Sequence, residues 1–250
     1  DLGMNIFNPG LQKFKYIDQN TPLLQQSKPN VTDIFESSDK NIWISTWGNG
    51  IFKYDSNFIF QSNYIHKEKD AASLGEPFSL IWTLEEDDRK RIWAGSQYAM
   101  LSILTPSTGK FINNIVPEFQ HYTIMHITKD KSHNLWLGLY NGSLGKWDAV
   151  SNKISVYNNL YGEDCKDPTV IDGLFVDEKN LLYVATNQYG LTRFNEAQKV
   201  MDEKNIFPQH ILSPGSLNDS VIMGGTSGKG FFLFNKIKKT TRFYNTNNGL

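Results

Sequence analysis

The chain of 250 residues contains one cysteine, Cys165. That excludes an internal disulfide and any zinc site built from cysteines. No apolar run approaches the roughly twenty residues that a membrane helix needs. The opening DLGMNIFNPG has no basic-then-apolar pattern, so no signal peptide is expected in the sequence as it stands. Charge of one sign is missing too: 25 Lys and Arg against 26 Asp and Glu leave a formal net charge of −1. A nucleic-acid surface normally carries a basic excess, so that class of partner is not expected. Long segments with a 3.6-residue apolar period are absent, which argues against a helical fold. What remains is aromatic and glycine-rich: 6 Trp, 11 Tyr, 16 Phe and 19 Gly. Such a mixture suits strands joined by tight turns.

The segment Asn41–Asp55, NIWISTWGNGIFKYD, reads as one hairpin, with two apolar runs flanking Gly48-Asn49-Gly50. The pattern returns as RIWAGSQYAMLSIL from Arg91, NLWLGLYNGSLGKW from Asn134, LLYVATNQYGLTRF from Leu181 and SVIMGGTSGKGFFLF from Ser220. Its anchor position holds Trp43, Trp93, Trp136, Tyr183 and Met223, at gaps of 50, 43, 47 and 40 residues. An apolar run precedes the anchor (VTDIF, FSLIWTL, YTIMHI, VIDGLFV), and a further strand follows the hairpin (NFIFQSNYI, GKFINNI, NKISVYNN, KKTTRFYN). Six residues before the anchor stand Ser37, Asp87, Asp130 and Asp177, short polar side chains suited to bonding turn N–H groups.

Four antiparallel strands repeated at this period define a β-propeller blade, so the expected fold is all-β, a single propeller domain over residues 1–250. Runs such as IWIS and LWLG are apolar on both faces, as a sheet packed between two others requires. Anchor aromatics are then expected to pack blade against blade. MNIFNPGLQKFKYI, residues 4–17, reads as the last two strands of a further unit. Five whole units and a half fit either a piece of a larger propeller or a compact six-bladed ring with an incomplete first blade.

The units resemble the two-component regulator propeller repeat. Ser73-Leu74 followed by SLIWTLEEDDRKRIWAGS matches its lead-in, acidic turn and strand, and NIWISTWGNGIFKYD matches its strand, hairpin and Tyr-Asp ending. The resemblance implies an extracytoplasmic, periplasmic sensor region of a hybrid two-component histidine kinase that responds to oligosaccharides. It also implies no catalytic activity and no cofactor for this segment. Its partners would be the other domains of the same receptor, in a receptor dimer, with no nucleic acid and no membrane contact.

In a propeller the loops joining second to third strands gather at one end, where a ligand site is expected. Those loops carry Trp47, Gln97, Tyr98, Tyr140, Asn141, Gln188 and Tyr189, with Thr226 and Ser227 in the fifth unit. Aromatic rings stack on a pyranose face and amides bond to hydroxyls, so this set suits a sugar. His121 and Glu76 are further candidates. No metal ligands are assigned, because His66, His121, His126, His133 and His210 are scattered. GGTSGKG from Gly224 resembles a phosphate loop, but Gly230 stands where Ser or Thr must bind magnesium and the segment reads as a hairpin. Glu85-Glu86-Asp87-Asp88 reads as a charged turn at a solvated blade edge. Two other functions compete with sensing. A glycan lyase or glycosidase needs paired acids or a His/Tyr cluster on the axial face, and these loops carry few acids. A purely structural ring would contact only protein.

Overall fold

The computed structural model describes residues 30–161, 169–207 and 210–245, and the backbone of strands at 5–8 and 13–16. Strands β1 (Asn5–Asn8) and β2 (Lys13–Tyr16) pair antiparallel, as expected of the half unit. Five blades of four antiparallel strands follow, each a simple meander. The first is β3 (Val31–Glu36), β4 (Ile42–Thr46), β5 (Ile51–Tyr54) and β6 (Phe60–Tyr64). The second is β7 (Ile81–Glu86), β8 (Ile92–Ser96), β9 (Met100–Thr105) and β10 (Lys110–Ile115). The third is β11 (Ile124–Lys129), β12 (Leu135–Leu139), β13 (Leu144–Asp148) and β14 (Lys153–Tyr157). The fourth is β15 (Ile171–Val176), β16 (Leu182–Thr186), β17 (Gly190–Asn195) and β18 (Val200–Phe207). The fifth is β19 (Ile211–Asn218), β20 (Val221–Thr226), β21 (Gly230–Asn235) and β22 (Thr240–Tyr244).

β3, β7, β11, β15 and β19 lie side by side, so the first strand of every blade is innermost and the blades fan around a common axis. The second strands β4, β8, β12 and β16 are buried along their whole length. Apolar clusters fill the gaps between blades: Trp43 packs with Ile81, Leu84 and Ile92, Trp93 with Ile124 and Leu135, Trp136 with Ile171 and Leu182, and Tyr183 with Ile211 and Ile222. Each anchor thus covers the next blade, as expected. Met223 departs from the pattern at 36% exposure, because no described blade lies beyond it.

The polar residue six before each anchor does more than close a turn. Asp130 accepts from the N–H groups of Ser132 and Asn134 and from Asn134 Nδ2, and the Trp136 indole N–H reaches it at 2.9 Å. Trp93 donates to Asp87 at 2.8 Å and Trp43 to Ser37 Oγ at 3.0 Å. Where the anchor is Tyr183, with no indole, Asp177 instead takes Lys236 Nζ from the following blade at 2.8 Å. The side chain fixes the turn and the orientation of the inter-blade aromatic together.

One expectation needs correction, and two features were not read from the sequence. Glu86 and Asp87 are 5% and 1% exposed, so the acidic run is solvated only in part, at Asp88. The Glu86 and Asp87 carboxylates turn inward, where they accept from backbone and indole donors. The connection between the first two blades is long: residues 65–80 strap the first blade to the second, with Phe111 N bonding Ala72 O and Asn113 Nδ2 bonding Ser73 O. And β19 escaped the apolar pattern because it contains Pro214 and Gly215. A proline is tolerated on an innermost strand, whose inward edge has no ladder to complete.

GGTSGKG is the β20–β21 hairpin, as expected. Hairpin glycines have a steric reason. Gly50 has φ +73°, and a Cβ there would lie 2.1 Å from the Tyr64 carbonyl oxygen. Gly50→Ala is expected to cost about 1–3 kcal/mol in denaturant unfolding. Gly225→Ala, with nothing within 4 Å, serves as the control.

Candidate functional site

The strand order sets two ends. Hairpins joining second to third strands share one end with the connections between blades, hereafter the loop end. Turns joining first to second and third to fourth strands form the opposite end. All eight candidate residues come to the loop end, from separate segments of four blades. Trp47 is on the first, Gln97 and Tyr98 on the second, Tyr140 and Asn141 on the third, and Gln188 and Tyr189 on the fourth. His121, exposed, is in the connection between the second and third.

Trp47 is held by its N–H to Asn30 O and lies edge-on to Trp82, with centroids 4.7 Å apart. Tyr98 is 59% exposed and Tyr140 51%. Tyr98 and Ala99 both have left-handed backbones, at φ 57° and 58°, as do Gln120 and His121 at 50° and 65°. Ala99 N bonds Tyr122 O and Val116 N bonds Ala99 O, so these two strained turns brace one another. Tyr189 stacks on Tyr161 at 4.4 Å. The amide oxygens are already engaged, Asn141 by Ser143 N and Gln188 by Thr169 Oγ. Their amide nitrogens have no hydrogen-bond partner among the described residues. Glu76 is buried in the 65–80 strap, where it caps Leu80 N at 2.6 Å, a structural position.

Sequence reasoning missed four aromatics at this end: Phe78 at 67% exposure, Trp82, Tyr122 and Tyr161. Phe78, Tyr122 and Tyr161 lie in connections between blades, not in the repeated hairpins. Trp82 was hidden inside an apolar strand. It is the extra residue of a bulge between Ile81 and Thr83, and its buried Nε1 has no hydrogen-bond partner. The same bulge recurs in β3, β11, β15 and β19.

Sequence reasoning also missed a polar seam along the inner strands. Asp33 accepts from Leu84 N at 2.8 Å, Thr83 Oγ from Ile127 N at 3.1 Å and Glu85 from Lys129 N at 3.1 Å. The His126 ring lies by the backbone of Asp172, and Asp172 pairs with His210 at 2.8 Å. Side chains therefore stitch each inner strand to the next, where no backbone ladder exists. These groups keep some solvent contact along the axis, but crowding desolvates them. Burial pushes Glu85 up to about 7, against the backbone bonds of Glu86 and Lys129 and the Lys129 charge. Burial pushes His126 down to about 4. Asp33 and Asp172 are likewise raised by burial, against their hydrogen bonds.

Blades, anchors and clustered loops define this chain as a β-propeller module. Residues 25–48 match the family model described as "Two component regulator propeller". No curated protein matches it. Solved structures share the fold. One is the extracellular domain of a protein described as a hybrid two component system from B. thetaiotaomicron: 17% identity, TM-score 0.73, covering 100% of this chain and 33% of that one. Another is the extracellular domain of a protein described as a one component system from the same organism: 20% identity, TM-score 0.64, covering 87% and 30%. The chain therefore spans about a third of the length of these two. A catalytically inactive virginiamycin B lyase from Staphylococcus aureus, with Quinupristin, is 15% identical, with TM-score 0.66 over 96% of this chain and 76% of that one.

Proposed function

We propose that this chain is a ligand-reading propeller of an extracytoplasmic two-component sensor, taking an oligosaccharide at its loop end. The observation that carries the reading is the convergence of Trp47, Tyr98, Tyr140 and Tyr189 on one end, joined there by Phe78, Trp82, Tyr122 and Tyr161. Exposed rings on a rigid scaffold offer stacking faces for pyranose rings, and the Asn141 and Gln188 amide nitrogens offer donors to hydroxyls. The regulator-propeller repeat and the likeness to extracellular sensor domains support the setting. Signalling would follow from a ligand that favours one arrangement of receptor domains over another.

The test is a thermal-shift screen against neutral and acidic oligosaccharides. A ligand at a hundred times its Kd stabilises by about 2.7 kcal/mol. Trp47→Ala and Tyr140→Ala are each expected to remove most of that shift. A shift that survives both substitutions defeats the reading.

A second reading, an enzyme acting on glycans, draws on the Asp172–His210 pair and the likeness to a lyase. Chromatography of the bound glycan separates the two: intact ligand supports the sensor, and cleavage that stops in His210→Ala supports the enzyme.

A further inference from the structure

Two grooves lie between blades at the end opposite the loops, one between the first and second and one between the third and fourth. Between the third and fourth blades, Lys146 Nζ lies 5.0 Å over the Trp136 ring and binds both Glu196 oxygens, at 2.7 and 2.9 Å. Tyr157, packed on Trp136, donates its hydroxyl to the same carboxylate at 2.9 Å. Between the first and second blades, the register places Lys53 at the position of Lys146 and Tyr64 at that of Tyr157. Lys53 Nζ lies 5.2 Å over Trp43, and Tyr64 stacks on Trp43 at 5.9 Å. The residue in register with Glu196, however, is Pro106. Cation, phenol and indole are repeated, and the carboxylate they serve is missing.

A groove of about 400 Å³ lies there, lined by Trp43, Lys53, Arg89, Thr105, Pro106 and Ser107, beside about 350 Å³ for the groove that Glu196 lines. Neither Lys53 nor Arg89 has a side-chain hydrogen bond or ion pair among the described residues. Asp39 and Glu86 also line the groove, but both are engaged: Glu86 accepts from Ser38 N and Oγ, and Asp39 from Ser37 and Asn41. Asp39 acts on Lys53 only through its charge. At the other two blade junctions the cation is already paired. Arg91, paired with Asp87, lies over Trp93 and Trp147 in one, and Lys236, paired with Asp177, lies over Tyr183 in the other.

We infer that the groove between the first two blades is a second ligand site, which takes the carboxylate of a small sugar acid in the place Glu196 fills two blades on. Lys53 receives the carboxylate as Lys146 receives Glu196, Arg89 adds charge, and the Thr105 and Ser107 hydroxyls line the groove beside them. The volume suits a hexuronic acid. The inference is independent of the loop-end reading.

Glucuronate and glucose differ there only by carboxylate against hydroxymethyl, so they are the probes. Glucuronate is expected to raise the melting temperature and to shift the Trp43 indole resonance, and glucose to do neither. Lys53→Met should weaken glucuronate binding at least tenfold. Pro106→Glu supplies the missing carboxylate within the chain, so it should raise the melting temperature without ligand and abolish the glucuronate response. Equal responses to the two sugars, no response to glucuronate at about 10 mM, or wild-type glucuronate affinity in Lys53→Met overturns the site. A response confined to the Trp47 and Trp82 indoles overturns it too, since it places glucuronate at the loop end.

Discussion

Asp130→Ala is expected to destabilise the protein by about 3–5 kcal/mol, the range for stripping the partner from several buried donors at once. Asp130 is 9% exposed and accepts four hydrogen bonds, three from its own turn and one from the Trp136 indole. Removal leaves the indole N–H unpaired between two blades and frees a turn whose His133 is held at φ 70°. For a chain of this size the melting temperature should fall by about 6–20 °C. Ser37→Ala loses the bond to Trp43 but no buried charge, and is expected to cost about 1–2 kcal/mol. Chemical denaturation of both variants checks the ranking. Equal small losses would mean that the turn does not lock the anchor.

The second large effect is hidden in the native protein. Glu85 titrates near 7 in the fold against an ordinary 4.5, so the folded state holds a proton that the unfolded state releases between those values. Stability from Glu85 therefore falls as pH rises from about 4.5 to 7. His126 titrates near 4 against 6.5, so the unfolded state holds the extra proton. Stability from His126 rises as pH rises from about 4 to 6.5. Each displacement is worth about 3 kcal/mol in full, and the two oppose one another over the same window. Asp33 and Asp172, raised by burial, add to the falling side from their ordinary 3.8 upward.

Glu85→Gln should unmask the His126 limb: relative to wild type, its stability climbs with pH up to about 7. His126→Gln should do the reverse, its stability falling relative to wild type between about 4 and 6.5. Denaturant midpoints measured across pH 4 to 7.5 give both differences. Curves parallel to wild type in both variants would mean that neither group is desolvated along the axis.

The repeat made most of the fold legible. Five anchors in register, glycine hairpins and two-faced apolar strands are local signals, and each was in the chain to be read. The turn acids at 87, 130 and 177 were visible too, but their bond to an indole was not. A spacing of six residues does not say that the turn folds the acid back beneath the anchor. The polar seam was less legible still. Asp33, Glu85, His126 and Asp172 sit within or beside apolar runs, and their partners belong to other blades some forty to fifty residues away. Bulges shift the inner register by one residue, which is why Trp82 could not be assigned a face from alternation. For the loop end, the repeated hairpins were legible, and the strand order brings them to one end. The connections between blades do not repeat, so Phe78, Tyr122 and Tyr161 carried no signal.

The six tryptophans divide between the two ends, and that permits one direct measurement. The indoles of Trp43, Trp93, Trp136 and Trp147 donate to Ser37, Asp87, Asp130 and Asn152 toward the turn end. Trp47 and Trp82 face one another at the loop end, and neither indole has a hydrogen-bond partner among the described residues. An indole proton–nitrogen correlation spectrum of labelled protein, recorded with each neutral oligosaccharide in turn, reads both ends at once. The account predicts that a binding glycan moves the Trp47 and Trp82 resonances and leaves the other four in place. A glycan that binds while those two stay fixed, or a panel in which none moves them, would contradict it.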